Sequence, residues 1–98
     1  MILVKLAGLP NAPANLATSN VTDTTLSLTW DAVSYEAGIE HYEIYRDGAS
    51  VGTSTTASFD DTGLTADTTY QYQVKAIATE GTESPLSDAV SVTTAPAV

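Results

Sequence analysis

The side chains with which this sequence could do chemistry are His41, the aspartates Asp60, Asp61 and Asp67, the glutamates Glu36, Glu40 and Glu43, and the tyrosines Tyr35 and Tyr45. A zinc site needs several imidazole or thiolate ligands, and the chain has one histidine and no cysteine. Calcium takes six to eight hard oxygens, but no spacing here matches a helix–loop–helix calcium loop. Asp60 and Asp61 are neighbours, so in a strand they point to opposite faces, and Asp61-Thr62-Gly63 is accounted for by turn chemistry. Glycoside hydrolysis needs two carboxyl groups facing each other across roughly 5–10 Å, inside a cleft. Glu36, Glu40 and Glu43 have no flanking sequence that would build one. A serine nucleophile would need His41 as base, and no orienting partner lies near it in sequence. No catalytic residue, metal ligand or cofactor is therefore expected. Tyr35 and Tyr45 remain as candidate surface-binding residues, because an exposed tyrosine offers an apolar ring and a polar tip to a protein or sugar.

These side chains must be positioned by strands. In Thr25–Trp30 the apolar residues Leu26, Leu28 and Trp30 fall on one face at period two, and in Tyr70–Ala76 the residues Tyr70, Tyr72, Val74 and Ala76 do the same. Such alternation marks antiparallel strands with one buried and one wet face. Further strands are expected over Asn15–Ser19, His41–Arg46 with Tyr42 and Ile44 inward, Ala49–Thr53, Ser58–Asp60 and Ala89–Thr94. Asp47-Gly48 between two extended runs predicts a tight hairpin, since both residues tolerate positive φ. Tyr45 alternates out of phase with inward Ile44, and Tyr35 falls in the loop between the second and third strands. The expectation is all-β: seven strands in a two-sheet antiparallel sandwich. Its predicted core is Leu26, Leu28, Trp30, Tyr42, Ile44, Phe59, Leu64, Tyr70, Tyr72 and Val74.

From Asn11 to Pro96 the chain resembles a fibronectin type III domain of the immunoglobulin-like class. The residues that carry the likeness are Trp30 closing the second strand, Leu64 six positions before Tyr70, Val74 and Ala76 after it, and Ser84-Pro85-Leu86-Ser87 before the last strand. The resemblance implies that Tyr70 is a tyrosine corner, its ring buried and its hydroxyl bonded to nearby backbone. Tyr42–Gly48 followed by Val51-Gly52-Thr53 is similar to the bacterial and phage branch of the family. In bacteria such domains stand beside polysaccharide-degrading catalytic domains, and in phages they are displayed on capsids and tails. The animal integrin-binding tripeptide is missing from Thr79–Ser84, and Arg46-Asp47-Gly48 is not that tripeptide. Asn20-Val21-Thr22 is a glycosylation sequon whose meaning is confined to a eukaryotic secretory pathway.

The formal charge of the 98-residue chain is −9, with Lys5, Arg46 and Lys75 its only lysines and arginines. Counterion release from phosphates cannot be driven by three scattered cations among twelve carboxylates, so nucleic acid is excluded as a partner, as is an anionic membrane surface. Met1–Pro10 is apolar but broken by Lys5 and Pro10, so it meets the requirements of neither a signal peptide nor a membrane span.

Residues 1–10 are therefore read as an N-terminal arm and residues 11–98 as the sandwich. The arm's Ile2, Leu3, Val4, Leu6 and Leu9 are candidate assembly contacts, because Ile2, Val4 and Leu6 share one parity and could add an edge strand to a neighbour. The counter-expectation is that the arm folds back on its own sandwich or is a cloning remnant.

Two functions fit these features. The first is a structural protein of a phage virion surface, a capsid or tail decoration anchored by its arm through self-association or a capsid or tail protein, and meeting a host-surface glycan. The alternative is an accessory or linker module of a secreted, extracellular bacterial polysaccharide-active enzyme. An engineered binding scaffold is a third origin.

Overall fold

The computed structural model describes residues 9–97. Seven strands follow in order: β1 Ala17–Ser19, β2 Leu26–Thr29, β3 Ile39–Arg46, β4 Ala49–Ser54, β5 Ser58–Asp61, β6 Thr69–Ala78 and β7 Val90–Thr93. They form two antiparallel sheets, one ordered β1-β2-β5 and the other β4-β3-β6-β7.

Period-two sequence makes the sandwich. On β6 the even-numbered residues Tyr72, Val74, Ala76 and Ala78 are buried while Gln71, Gln73, Lys75 and Ile77 face outward. Tyr42 and Ile44 of β3 extend this inner face within the same sheet, and Leu26 and Leu28 of β2 supply the opposing one. Trp30 closes this core edge-on to Tyr42, with ring centroids 5.3 Å apart and planes at 68°. The Tyr42 hydroxyl accepts the backbone N–H of Val33 at 2.9 Å, which fixes the chain as it leaves Trp30. Leu64 seals the core beneath the β5–β6 loop.

Phe59 and Tyr70, placed in the core by sequence, pack against it from its margin and are only half-buried. Phe59 lies on the edge strand β5 with its ring over Gly52 of β4, so close that a Cβ on Gly52 would stand 2.8 Å from two of its ring carbons. Gly52 is thus required by the approach of two strands from different sheets. The β3–β4 hairpin turns through Asp47 and Gly48 at φ 52° and 87°, the double positive φ of a type I′ turn.

The last strand, β7, falls within one residue at each end of the Ala89–Thr94 expected from sequence. Along the downstream half of β6, beyond the reach of β7, Ser84 and Ser87 stand in for a strand partner. The Ser84 N–H donates to the Ala76 carbonyl at 2.9 Å, and the Ala76 N–H donates to the Ser84 hydroxyl at 2.8 Å. Ser87 repeats the exchange with Val74, at 2.8 Å to its carbonyl and 2.9 Å from its N–H. Two buried hydroxyls therefore satisfy backbone groups that a regular ladder would otherwise pair.

Candidate functional site

The wet face of the four-stranded sheet carries three of the residues singled out for chemistry, His41, Glu43 and Tyr45 of β3. Register sets Glu43 opposite Lys75, Tyr45 opposite Gln73 and His41 opposite Ile77. The Tyr45 hydroxyl donates to Glu43 Oε1 at 3.1 Å, and Ser50 on β4 donates to Glu43 Oε2 at 2.8 Å. Lys75 Nζ lies 5.3 Å from the centre of the Tyr45 ring, 2.6 Å from Glu83 and 3.7 Å from Glu43. The Ser50 hydrogen bond, aided by Tyr45 and Lys75, holds the Glu43 carboxyl below the usual carboxylate range. The Glu83 hydrogen bond raises Lys75 above its ordinary value. Both groups are thereby fixed in their charged forms at neutral pH, the reverse of what a general acid requires.

Tyr45 is half-buried in this network, not held free on the surface as its phase in the strand predicts, because Lys75 covers its ring. Tyr35 is likewise half-buried. Partial burial and a hydrogen bond with Glu80 of the β6–β7 loop push its phenol up, so it ties two loops together. His41 Nδ1 lies 4.0 Å from Glu40. Among the described residues no group of three or more His, Cys, Asp or Glu is arranged to hold a metal ion. Of the arm contacts, Leu9 is 56% exposed; Ile2, Leu3, Val4 and Leu6 lie outside the described residues. An open groove of about 530 Å³ runs between Ala12–Leu16 and Ser87–Val90, with Asp88 the only titratable residue of its wall among the described residues.

A largely buried ion pair lies between the sheets, and sequence reasoning missed it. Asp61, assigned to a turn, ends β5 with its side chain inward and is 6% exposed. Its Oδ2 accepts from Arg46 Nη1 at 2.8 Å and from the Tyr72 hydroxyl at 2.6 Å. Arg46 also stacks over the Tyr70 ring, 5.6 Å from its centre. Burial, and then the Asp61 carboxylate, push the Tyr72 phenol well above its ordinary value. The parity signal was present: Asp61 shares the phase of Phe59, and Arg46 that of Tyr42 and Ile44. Opposite charges at inward positions of facing strands predict such a pair. This cluster joins the two sheets through side chains of β3, β5 and β6.

A sandwich of three and four antiparallel strands, with Glu43, Tyr45 and Lys75 paired on its polar face, defines an immunoglobulin-like β-sandwich domain. Its sequence matches the fibronectin type III domain over residues 11–93, and the chain belongs to that family. It is 48% identical over 87 residues to exoglucanase B of Cellulomonas fimi, covering 87% of this chain and 8% of that enzyme. It is 45% identical over 85 residues to chitinase C of Streptomyces lividans, covering 87% of this chain and 14% of that enzyme. A chitinase from Bacillus thuringiensis superposes with a TM-score of 0.84 at 26% identity, over 96% of this chain and 15% of that one. The chain thus spans less than a sixth of the length of these relatives. They agree with the enzyme-associated alternative drawn from the sequence; virion decoration draws no support from them.

Proposed function

We propose that this chain acts as a non-catalytic accessory module of an extracellular bacterial enzyme that degrades a polysaccharide, in which the chemistry belongs to a separate catalytic domain. The observation that carries the proposal is the relatives' own make-up. Enzymes named exoglucanase, chitinase and α-amylase contain a stretch 39–48% identical to this sandwich that makes up 7–14% of their length. A module that recurs beside such different activities is not itself the source of any one of them. The pairing of Glu43, Lys75 and Tyr45 with one another is consistent with this, since it holds Glu43 and Lys75 in their charged forms.

The test compares the full native reading frame with a version lacking residues 11–95, on crystalline chitin or cellulose and on soluble oligosaccharides. Turnover of the soluble substrate is expected to be unchanged while hydrolysis of the insoluble polymer falls several-fold. Hydrolysis by the isolated sandwich, equal rates on both substrates, or a reading frame with no catalytic domain overturns the proposal.

A further inference from the structure

The end of the sandwich from which the chain departs is bolted far more heavily than a terminal strand needs. Thr94, just past β7, is 2% exposed. Its hydroxyl donates to the Thr65 carbonyl at 2.6 Å and accepts the Thr68 N–H at 3.0 Å. Its own N–H donates to the Thr68 carbonyl at 3.0 Å. Ala95 is gripped from both sides: its N–H donates to the Thr22 carbonyl and its carbonyl accepts the Asp67 N–H, each at 3.0 Å.

The two loops that do the gripping are themselves braced. In the β1–β2 loop the Thr22 hydroxyl accepts the Thr25 N–H at 2.9 Å and the Thr24 N–H at 3.2 Å. The Thr24 carbonyl accepts the Leu64 N–H at 2.9 Å, which joins this loop to the β5–β6 loop. Thr65 is held in turn by its N–H to the Tyr70 hydroxyl, at 2.9 Å. Chain geometry places this clamp at the far end from where the chain comes in. The Ala14 carbonyl accepts the Asp31 N–H beyond the last residue of β2, whereas Thr22 lies just before its first.

We infer that Thr94 and Ala95 form a rigid joint, so that the sandwich sets the direction of any segment after Ala95 instead of letting it swing from the end of β7. The physical basis is the number of independent restraints. Chain ends ordinarily fray because one ladder holds them, but here two loops and a buried hydroxyl grip two consecutive residues, and the next residue is Pro96 with its φ already fixed. The joint is built entirely from residues of the sandwich itself, so it stands apart from the enzyme-accessory proposal.

Backbone ¹⁵N relaxation and amide exchange on the 98-residue chain test it. The Ala95 amide is expected to be as ordered as those of β6, with an order parameter of about 0.85, and order is expected to fall only beyond Pro96. An Ala95 order parameter below about 0.6 overturns the inference. Thr94→Val removes the buried hydroxyl and is expected to release Ala95 while β6 stays ordered. Should that variant fail to fold, Thr22→Ala unbraces the exposed loop instead and is expected to speed Ala95 exchange about tenfold, the equivalent of one hydrogen bond. Unchanged Ala95 exchange in a folded variant overturns the inference as well.

Discussion

The Tyr72 phenol and the Asp61 carboxylate meet between the two sheets at 2.6 Å, so that a residue of β6 and a residue of β5 are joined across the sandwich by their side chains. Arg46 from β3 completes the contact on the same oxygen. A carboxylate in this position is tolerable only because both donors reach it.

Asp61→Ala would leave Arg46 facing the inner layer without its counter-charge. The expected loss is about 3 kcal/mol in urea unfolding, the range for breaking a mostly buried pair. Replacing both residues together, Asp61→Leu with Arg46→Met, should recover most of that loss. A double variant no more stable than Asp61→Ala would show that the pair contributes through packing and not charge.

Alkaline pH provides a second test. The folded-state pKa of Tyr72 is raised above its ordinary value of 10.0, first by burial and then by Asp61. Such a group contributes stability that is fully present below about pH 10 and is lost as pH rises toward the higher folded value. Lys75, raised by Glu83, acts in the same direction from 10.5. The melting temperature is expected to be level from about pH 7 to pH 9 and to fall above pH 10. Tyr72→Phe should make that fall shallower. An equally steep fall in Tyr72→Phe would remove Tyr72 as its main cause.

Tyr70→Phe keeps the ring under Arg46 but takes away the acceptor for the Thr65 N–H. The expected cost is about 1 kcal/mol. Tyr70→Ala, which also empties the space at the sheet margin, should cost about 3 kcal/mol. Equal stability of the two variants by chemical denaturation would mean that the ring contributes nothing.

Gly52→Ala places a methyl 2.8 Å from the Phe59 ring. Overpacking of this kind costs about 1–3 kcal/mol, and the half-buried ring can yield, which favours the lower end. The cost should largely vanish in a Phe59→Leu background, read as a coupling energy in a double-mutant cycle.

How local the cause of a feature is decides whether it can be read from sequence. The strands and the Asp47-Gly48 hairpin are written in period-two alternation and in two residues that accept positive φ, both visible within a few positions. Trp30, Leu26 and Tyr72 lie in the core because their phase in a strand leaves them nowhere else to go. Asp61 escaped because a charged residue beside Thr62-Gly63 reads as a turn, and only Arg46 and Tyr72, distant in sequence, make its burial tolerable. The candidate contacts were harder still. Tyr45 has an outward phase, but whether its ring is open depends on Lys75 from β6, a cross-strand neighbour that local pattern does not reveal. The role of Ser84 and Ser87 has the same origin, since they meet Ala76 and Val74 of β6 across the sheet through their hydroxyls as well as their backbone.

That serine-for-strand substitution has a consequence for life in crowded surroundings. A β6 left bare over Val74–Ala76 would offer open N–H and C=O groups to any extended polypeptide, the usual nucleus of edge-to-edge aggregation. Here those groups are already spent on Ser84 and Ser87, and the kinked segment that spends them carries Pro85, which has no N–H to offer in turn. Copies of the sandwich can therefore lie side by side, in a tandem array or packed on a polymer surface, without this edge recruiting a neighbouring strand.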